Sequence, residues 1–152
     1  MVDVGTLAPD AVFKTPDGKP SKASDYRGKK LVLYFYPKDD TSGCTKEAQE
    51  FSALSAEFSK AGAVVVGISK DSEKSHAKFI AKYDLKVALG SDETGDVCEA
   101  FGVWVEKSMY GKKYMGIQRS TFLIDADGKF SKIWDKVKVP GHAAEVLIAI
   151  TG

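Results

Sequence analysis

The chain has 152 residues, 43% hydrophobic and 28% charged, which suits one globular domain (1–152) with a core of its own. A net charge of +1 gives no footing for nucleic acid or an anionic membrane surface, and no apolar run is long enough to span a bilayer. The opening MVDVGTLAPDAVF lacks the basic start and apolar stretch of a secretory signal, so two free thiols in a reducing cytoplasm are the expectation.

Ala11 to Lys14, followed by Thr15-Pro16-Asp17-Gly18-Lys19, predicts an N-terminal hairpin, and Ser24 to Gly28 a short turn. Leu31 to Tyr36 is an unbroken apolar and aromatic run, the pattern of a strand buried on both faces. Pro37, which has no N–H to give a sheet ladder, stops it. The polar stretch Lys38 to Gly43 leads to Cys44, after which Ala48, Phe51, Leu54 and Phe58 recur at helical spacing as far as Ala61-Gly62. Ala63 to Ile68 is a second buried strand, so strand, helix and strand make a parallel βαβ unit. Asp71-Ser72-Glu73 opens a helix with Phe79, Ile80 and Tyr83 on its apolar side.

Val87 to Leu89 reads as a short strand, and Thr94 to Phe101 as a short helix carrying Val97 and Cys98. Gly102 to Gly116 reads as a long surface loop that Trp104, Met109, Tyr110 and Met115 pin onto the core. Ser120 to Asp125 and Lys129 to Trp134 are strands joined by Ala126-Asp127-Gly128, and Pro140-Gly141-His142 starts a last helix. A βαβ half followed by a ββα half predicts an α/β, thioredoxin-like fold: a mixed central sheet flanked by helices, with the N-terminal hairpin as an extension.

Cys44 stands where a buried strand hands over to the first turn of a helix. Backbone N–H groups are unpaired there and the dipole favours negative charge, so the position predicts a reactive thiolate at the surface over a buried structural thiol. Thr41, three residues earlier, either caps the helix or offers its hydroxyl to a substrate oxygen beside the sulfur. Ser42 and Gly43 permit a tight turn whose amides converge on the same spot. Only two of the 22 cationic side chains, Arg27 and Arg119, are arginine. Arg119 opens an apolar strand that can lie beside Leu31–Tyr36, so it either reaches Cys44 or snorkels at a sheet edge. Glu47, one turn beyond Cys44, either orients Arg119 or simply matches the helix dipole. His76 and His142 are far apart in sequence without metal-ligand spacing, so neither a metal nor a cofactor is expected.

Pro37, Thr41 and Cys44 form the P-x-x-x-T-x-x-C motif, and with YFYPKDDTSGCTKE and RSTFLIDADGK the chain resembles the peroxiredoxins, in particular their bacterioferritin comigratory (Q-type) branch. The resemblance covers nearly the whole chain. It implies a thiol peroxidase that reduces hydrogen peroxide and organic hydroperoxides, with Cys44 as the peroxidatic cysteine and Pro37, Thr41 and Arg119 completing its site. Two departures from the family pattern matter. Ser42 stands where proline is common, and the positions that often hold a second, resolving cysteine are Gln49 and Ile80. Cys98, 54 positions beyond Cys44, is the one internal candidate for that role. The favoured expectation is a one-cysteine cycle reduced by an external thiol such as thioredoxin, in a monomer or weak dimer. The alternatives are a cycle resolved by Cys98 and a peroxide-sensing thiol without fast turnover.

Overall fold

The computed structural model describes residues 2–151. Strands β1 (Phe13–Lys14) and β2 (Pro20–Ser21) form the N-terminal hairpin, and a 3-10 turn at Ala23–Tyr26 leads to β3 (Lys30–Phe35). Helices α1 (Ser42–Ala53) and α2 (Ser55–Lys60) follow, then β4 (Ala63–Ser69), α3 (Glu73–Tyr83), β5 (Ala88–Ser91) and α4 (Asp96–Ala100). Strands β6 (Trp104–Met109), β7 (Lys112–Ile117), β8 (Ser120–Ile124) and β9 (Phe130–Trp134) precede the final helix α5 (His142–Thr151). The main sheet runs β2-β1-β5-β4-β3-β8-β9. Parallel β3, β4 and β5 are flanked by antiparallel β8 and β1, so the sheet is mixed and the hairpin extends one edge.

The uninterrupted apolar character of β3 has a simple cause. Val32, Tyr34 and Tyr36 face one core with Phe51, Phe58, Phe79 and Val146, while Leu31, Leu33 and Phe35 face a second core with Phe13, Phe101, Phe122 and Phe130. Successive side chains of a strand point to opposite faces, so a central strand between two cores needs apolar residues at every position.

Two elements depart from the sequence reading. The helix that begins before Cys44 is broken at Leu54 (φ −102°, ψ 10°), whose N–H turns back to the carbonyl of Phe51. Residues 102–116 are no loop: β6 and β7 pair as a separate hairpin, closed by Tyr110 (φ 52°) and Gly111 (φ 79°). Two successive left-handed residues make the tight turn that matches strand twist. Polar or exposed residues on both faces left no alternation to read. Met109, Tyr110 and Met115 do not pin it, since all three are exposed, Tyr110 by 99%. Of the four expected anchors, Trp104 packs against the second core, beside Ile117 of β7, with Lys70 Nζ 4.2 Å from its ring centroid.

Gly67 lies opposite Tyr34 across β3 and β4, and a Cβ there would fall 2.5 Å from Tyr34 Cζ. That ring is fully buried and has nowhere to move. Gly67→Ala should therefore lower stability by about 1–3 kcal/mol, seen as a lower urea midpoint at unchanged slope.

Candidate active site

The loop after β3 ends at Thr41, whose extended backbone (φ −95°, ψ 157°) sets it at the N-cap of α1. Thr45 is the first residue to bond back, its N–H donating to the Thr41 carbonyl at 2.8 Å. The N–H groups of Ser42, Gly43 and Cys44 therefore have no intrahelical partner. Thr41 does not cap them with its side chain; its hydroxyl donates to the Lys38 carbonyl at 2.8 Å.

Arg119 immediately precedes β8, and β8 pairs antiparallel with β3 so that Ser120 lies opposite Phe35. This register brings the guanidinium over the start of α1. Nη2 donates to Cys44 Sγ at 3.2 Å, and Nη1 to Glu47 Oε1 at 2.5 Å. Gly43 leaves room for it, since a Cβ there would sit 3.4 Å from Nη2. Burial works against the Arg119 charge, but Glu47 and Cys44 outweigh it and raise its pKa. Glu47 is 1% exposed, and its Oε2 has no hydrogen-bond partner among the described residues. Burial wins there: it lifts the Glu47 pKa from 4.5 to about 7 against the pull of Arg119.

Cys44 is only 2% exposed, contrary to the expectation of a surface thiol. As the third residue of α1 it points inward, into the core that holds Tyr34, Tyr36 and Ala48. Around this helix start Pro37, Thr41 and Ser42 are exposed, as are Lys38, Asp40 and Lys46, and Gly43 is partly exposed. Two further side chains share the surroundings of Cys44. Burial, then Glu47 and Cys44, push the Tyr34 hydroxyl well above its ordinary pKa. Burial and the Arg119 charge lower the pKa of Lys107 on β6, with Cys44 acting the other way. Period-two reading of β3 would have put Tyr34 on the face that holds Cys44; nothing in the sequence signalled Lys107.

Cys98 is not brought to this group. It is fully buried in the second core, on the other side of the sheet from Cys44. Its N–H donates to Asp92 at 2.8 Å, and burial together with that carboxylate pushes its thiol pKa up. The folded arrangement thus opposes the pairing of Cys44 with Cys98, because the central strands stand between them. His142, partly wrapped by Phe51 and Trp134, lies 2.8 Å from the Thr121 hydroxyl. Asp39, Asp71 and His76 offer ligand-type atoms within 4.8 Å of one another, a cluster drawn from separate elements that no spacing in the sequence foreshadows.

Residues 4–133 match the AhpC/TSA family. The chain belongs to that family. It is 53% identical to the putative peroxiredoxin Bcp of Coxiella burnetii, with 96% of this chain and 97% of that one covered. It is 49% identical to peroxiredoxin Bcp of Bacillus subtilis, over 96% and 93% of the two chains. Peroxiredoxin Q of Xanthomonas campestris superposes with a TM-score of 0.91 at 44% identity, covering 99% of this chain and 96% of that one. The bacterioferritin comigratory protein of the same organism is described as having alkyl peroxide reduction activity. This peroxiredoxin is a thiol peroxidase of the Bcp, or Q, branch, with a hydroperoxide as substrate and a thiol as reductant. Among the described residues of this peroxiredoxin, no helix is long and apolar enough to cross a membrane.

The Glu47 carboxyl gives a stability signature. With a pKa of 4.5 unfolded and about 7 folded, the folded state binds more protons between those values. Stability should therefore fall as pH rises from about 4.5 to about 7. Urea midpoints across that window should decline in the parent protein and flatten in Glu47→Gln. An unchanged slope in the variant would assign the decline to another group.

Proposed function

We propose that Cys44 is the sulfur that attacks the hydroperoxide, in a one-cysteine cycle completed by an external thiol. The observation that carries this reading is the Arg119 guanidinium bridging Cys44 Sγ and Glu47 Oε1 at a helix start with three unpaired N–H groups. A sulfur atom, a fixed planar donor and unused amides stand together at one helix start.

The thiolate forms a bond to the terminal oxygen of the hydroperoxide. The O–O bond breaks, its electron pair leaves on the distal oxygen, and that oxygen takes a proton and departs as water or an alcohol. The sulfur is left as sulfenic acid. Ionising an ordinary thiol gains only about 30-fold at neutral pH, so most of the acceleration comes from holding the oxygens as charge moves between them. Arg119 and the amides of Ser42, Gly43 and Cys44 donate to those oxygens. The Thr41 hydroxyl already gives its proton to Lys38, so towards the substrate it acts as acceptor for the peroxide O–H. Glu47 holds Arg119 in plane, and Pro37 shapes the solvent side of the mouth.

The reductant attacks the sulfenic sulfur, water leaves, and a second thiol releases the resulting mixed disulfide. With the sulfur 2% exposed, this half of the cycle requires the first turn of α1 to loosen. The placement of Cys98 in the other core favours this route over an internal disulfide. The substrate class is hydrogen peroxide and organic hydroperoxides, alkyl ones included, and the reductant a thioredoxin-type dithiol. A near-neutral charge speaks against nucleic-acid or membrane partners, and two free cysteines suit a reducing cytoplasm, where the protein works as a monomer or weak dimer. The packing of α1, α3 and α5 into one core on one sheet supports treating residues 1–152 as one functional unit.

Arg119→Lys keeps the charge but loses the fork that binds sulfur and carboxylate together. It should cost about 10²-fold in kcat/KM for peroxide, the scale of a lost oxyanion donor; near-parental turnover would remove Arg119 from the mechanism. Intact-mass analysis after one equivalent of peroxide should show the gain of one oxygen. A loss of two hydrogens with a 44–98 link would replace the one-cysteine cycle with a two-cysteine one.

A further inference from the structure

The loop that carries Pro37 and Thr41 is held from below by a buried clasp. His76, fully buried on α3, places Nδ1 2.8 Å from Asp39 Oδ2 and Nε2 3.0 Å from the Gly90 carbonyl of β5. A carboxylate and a carbonyl only accept, so both ring nitrogens stand at hydrogen-bond distance from acceptors and hold the ring between α3, the loop and β5. Asp39 collects two more donors, the Tyr36 hydroxyl at 2.6 Å and the Ser75 hydroxyl at 2.7 Å. Burial opposes its charge, yet the bonds from His76, Tyr36 and Ser75 hold its carboxyl below the usual range. Its backbone N–H donates to Asp71 at 2.8 Å, and Asp71 is itself fixed by the Ser69 hydroxyl at 2.6 Å.

Asp39 is the midpoint of the five residues 37–41 that precede α1. The Asp39 side chain thus ties the loop to Tyr36, just after β3, and to α3, and His76 carries the tie on to Gly90 of β5. The other tie is Asp40 (φ 57°), whose exposed carboxylate meets Lys82 Nζ at 2.7 Å and the Tyr83 hydroxyl at 2.5 Å. Exposed pairs of that kind hold weakly. Where Thr41 and the first three amides of α1 stand is therefore set mainly at Asp39.

We propose that His76 is a positioning residue for the peroxidase reaction: through Asp39 it fixes the loop that presents Thr41 and the amides around Cys44 to the hydroperoxide. It touches neither substrate nor sulfur. The two halves of the catalytic cycle need opposite things from this loop. Attack on peroxide requires the loop seated, whereas access of a thiol to a sulfur that is 2% exposed requires it loosened. A weakened clasp therefore slows the first step and spares or speeds the second, while general loss of structure slows both.

The inference rests on Cys44 as the reacting sulfur, and the test separates the two ideas. Pre-reduced protein is mixed with hydrogen peroxide in a stopped-flow instrument, and the sulfenic form is then mixed with dithiothreitol. His76→Gln and Asp39→Asn should each lower the peroxide rate constant by about tenfold or more, within the range that small misplacements produce. The dithiothreitol step should be unchanged or faster, and the double variant no worse than the poorer single one. A parental peroxide rate in folded His76→Gln, or equal slowing of both steps, overturns the proposal. The unaltered protein gives a check that no variant must fold for. Nitrogen NMR should show both His76 ring nitrogens engaged in hydrogen bonds, and a ring nitrogen free of any hydrogen bond breaks the clasp as described. Full peroxide turnover by Cys44→Ser would instead sink the assignment of the sulfur, and the purpose of the clasp with it.

Discussion

The antiparallel register between β3 and β8 is the constraint on which the site depends. With Phe35 opposite Ser120, one strand hands its chain to the helix of Cys44 at the same end where the other receives Arg119. Two segments 75 residues apart in sequence therefore meet without any long loop bending to join them. A slip of one residue would turn Phe35 and Ser120 to the wrong faces and carry the guanidinium away from the sulfur. The buried character of β3 on both sides enforces the pairing, so packing of the two cores and placement of the reacting groups are one and the same requirement.

That meeting is not optimal for stability. Glu47 is sunk in the core with one oxygen held by Arg119 and the other unpartnered, and the Tyr34 hydroxyl beside it is also unpartnered among the described residues. Buried polar atoms of this kind are uncommon and destabilising. Both belong to the surroundings of Cys44, where a rigid donor array has more value than a satisfied core. The Asp39–His76 pair shows the contrasting solution, since both carboxylate oxygens and both ring nitrogens have partners.

Much of this was legible in the chain because it is written locally. The run Leu31–Tyr36, the stop at Pro37 and the spacing Thr41 to Cys44 lie within a few residues of one another, and the scarcity of arginine singled out Arg119. What could not be read depended on direction or distance. The polar neighbours of Cys44 suggested exposure, but the third position of a helix turns its side chain towards the sheet. The β6–β7 hairpin has no buried face to create an alternating pattern. The break at Leu54 interrupts apolar spacing that continues unchanged through Phe58. Residues 39, 71, 76 and 90 form one network only after four separate segments have been brought together.

The placement of the two thiols on opposite faces of one sheet has a consequence for how the protein lives with oxidant. In the proposed one-cysteine cycle, the oxidised state has no internal refuge. Whatever meets the sulfenic acid next arrives from solution, either a thiol that restores the enzyme or a second peroxide that carries the sulfur to the irreversible sulfinic level. Survival of the catalyst is then a race set by its surroundings. Its working range ends where the local supply of reducing equivalents falls behind the arrival of peroxide.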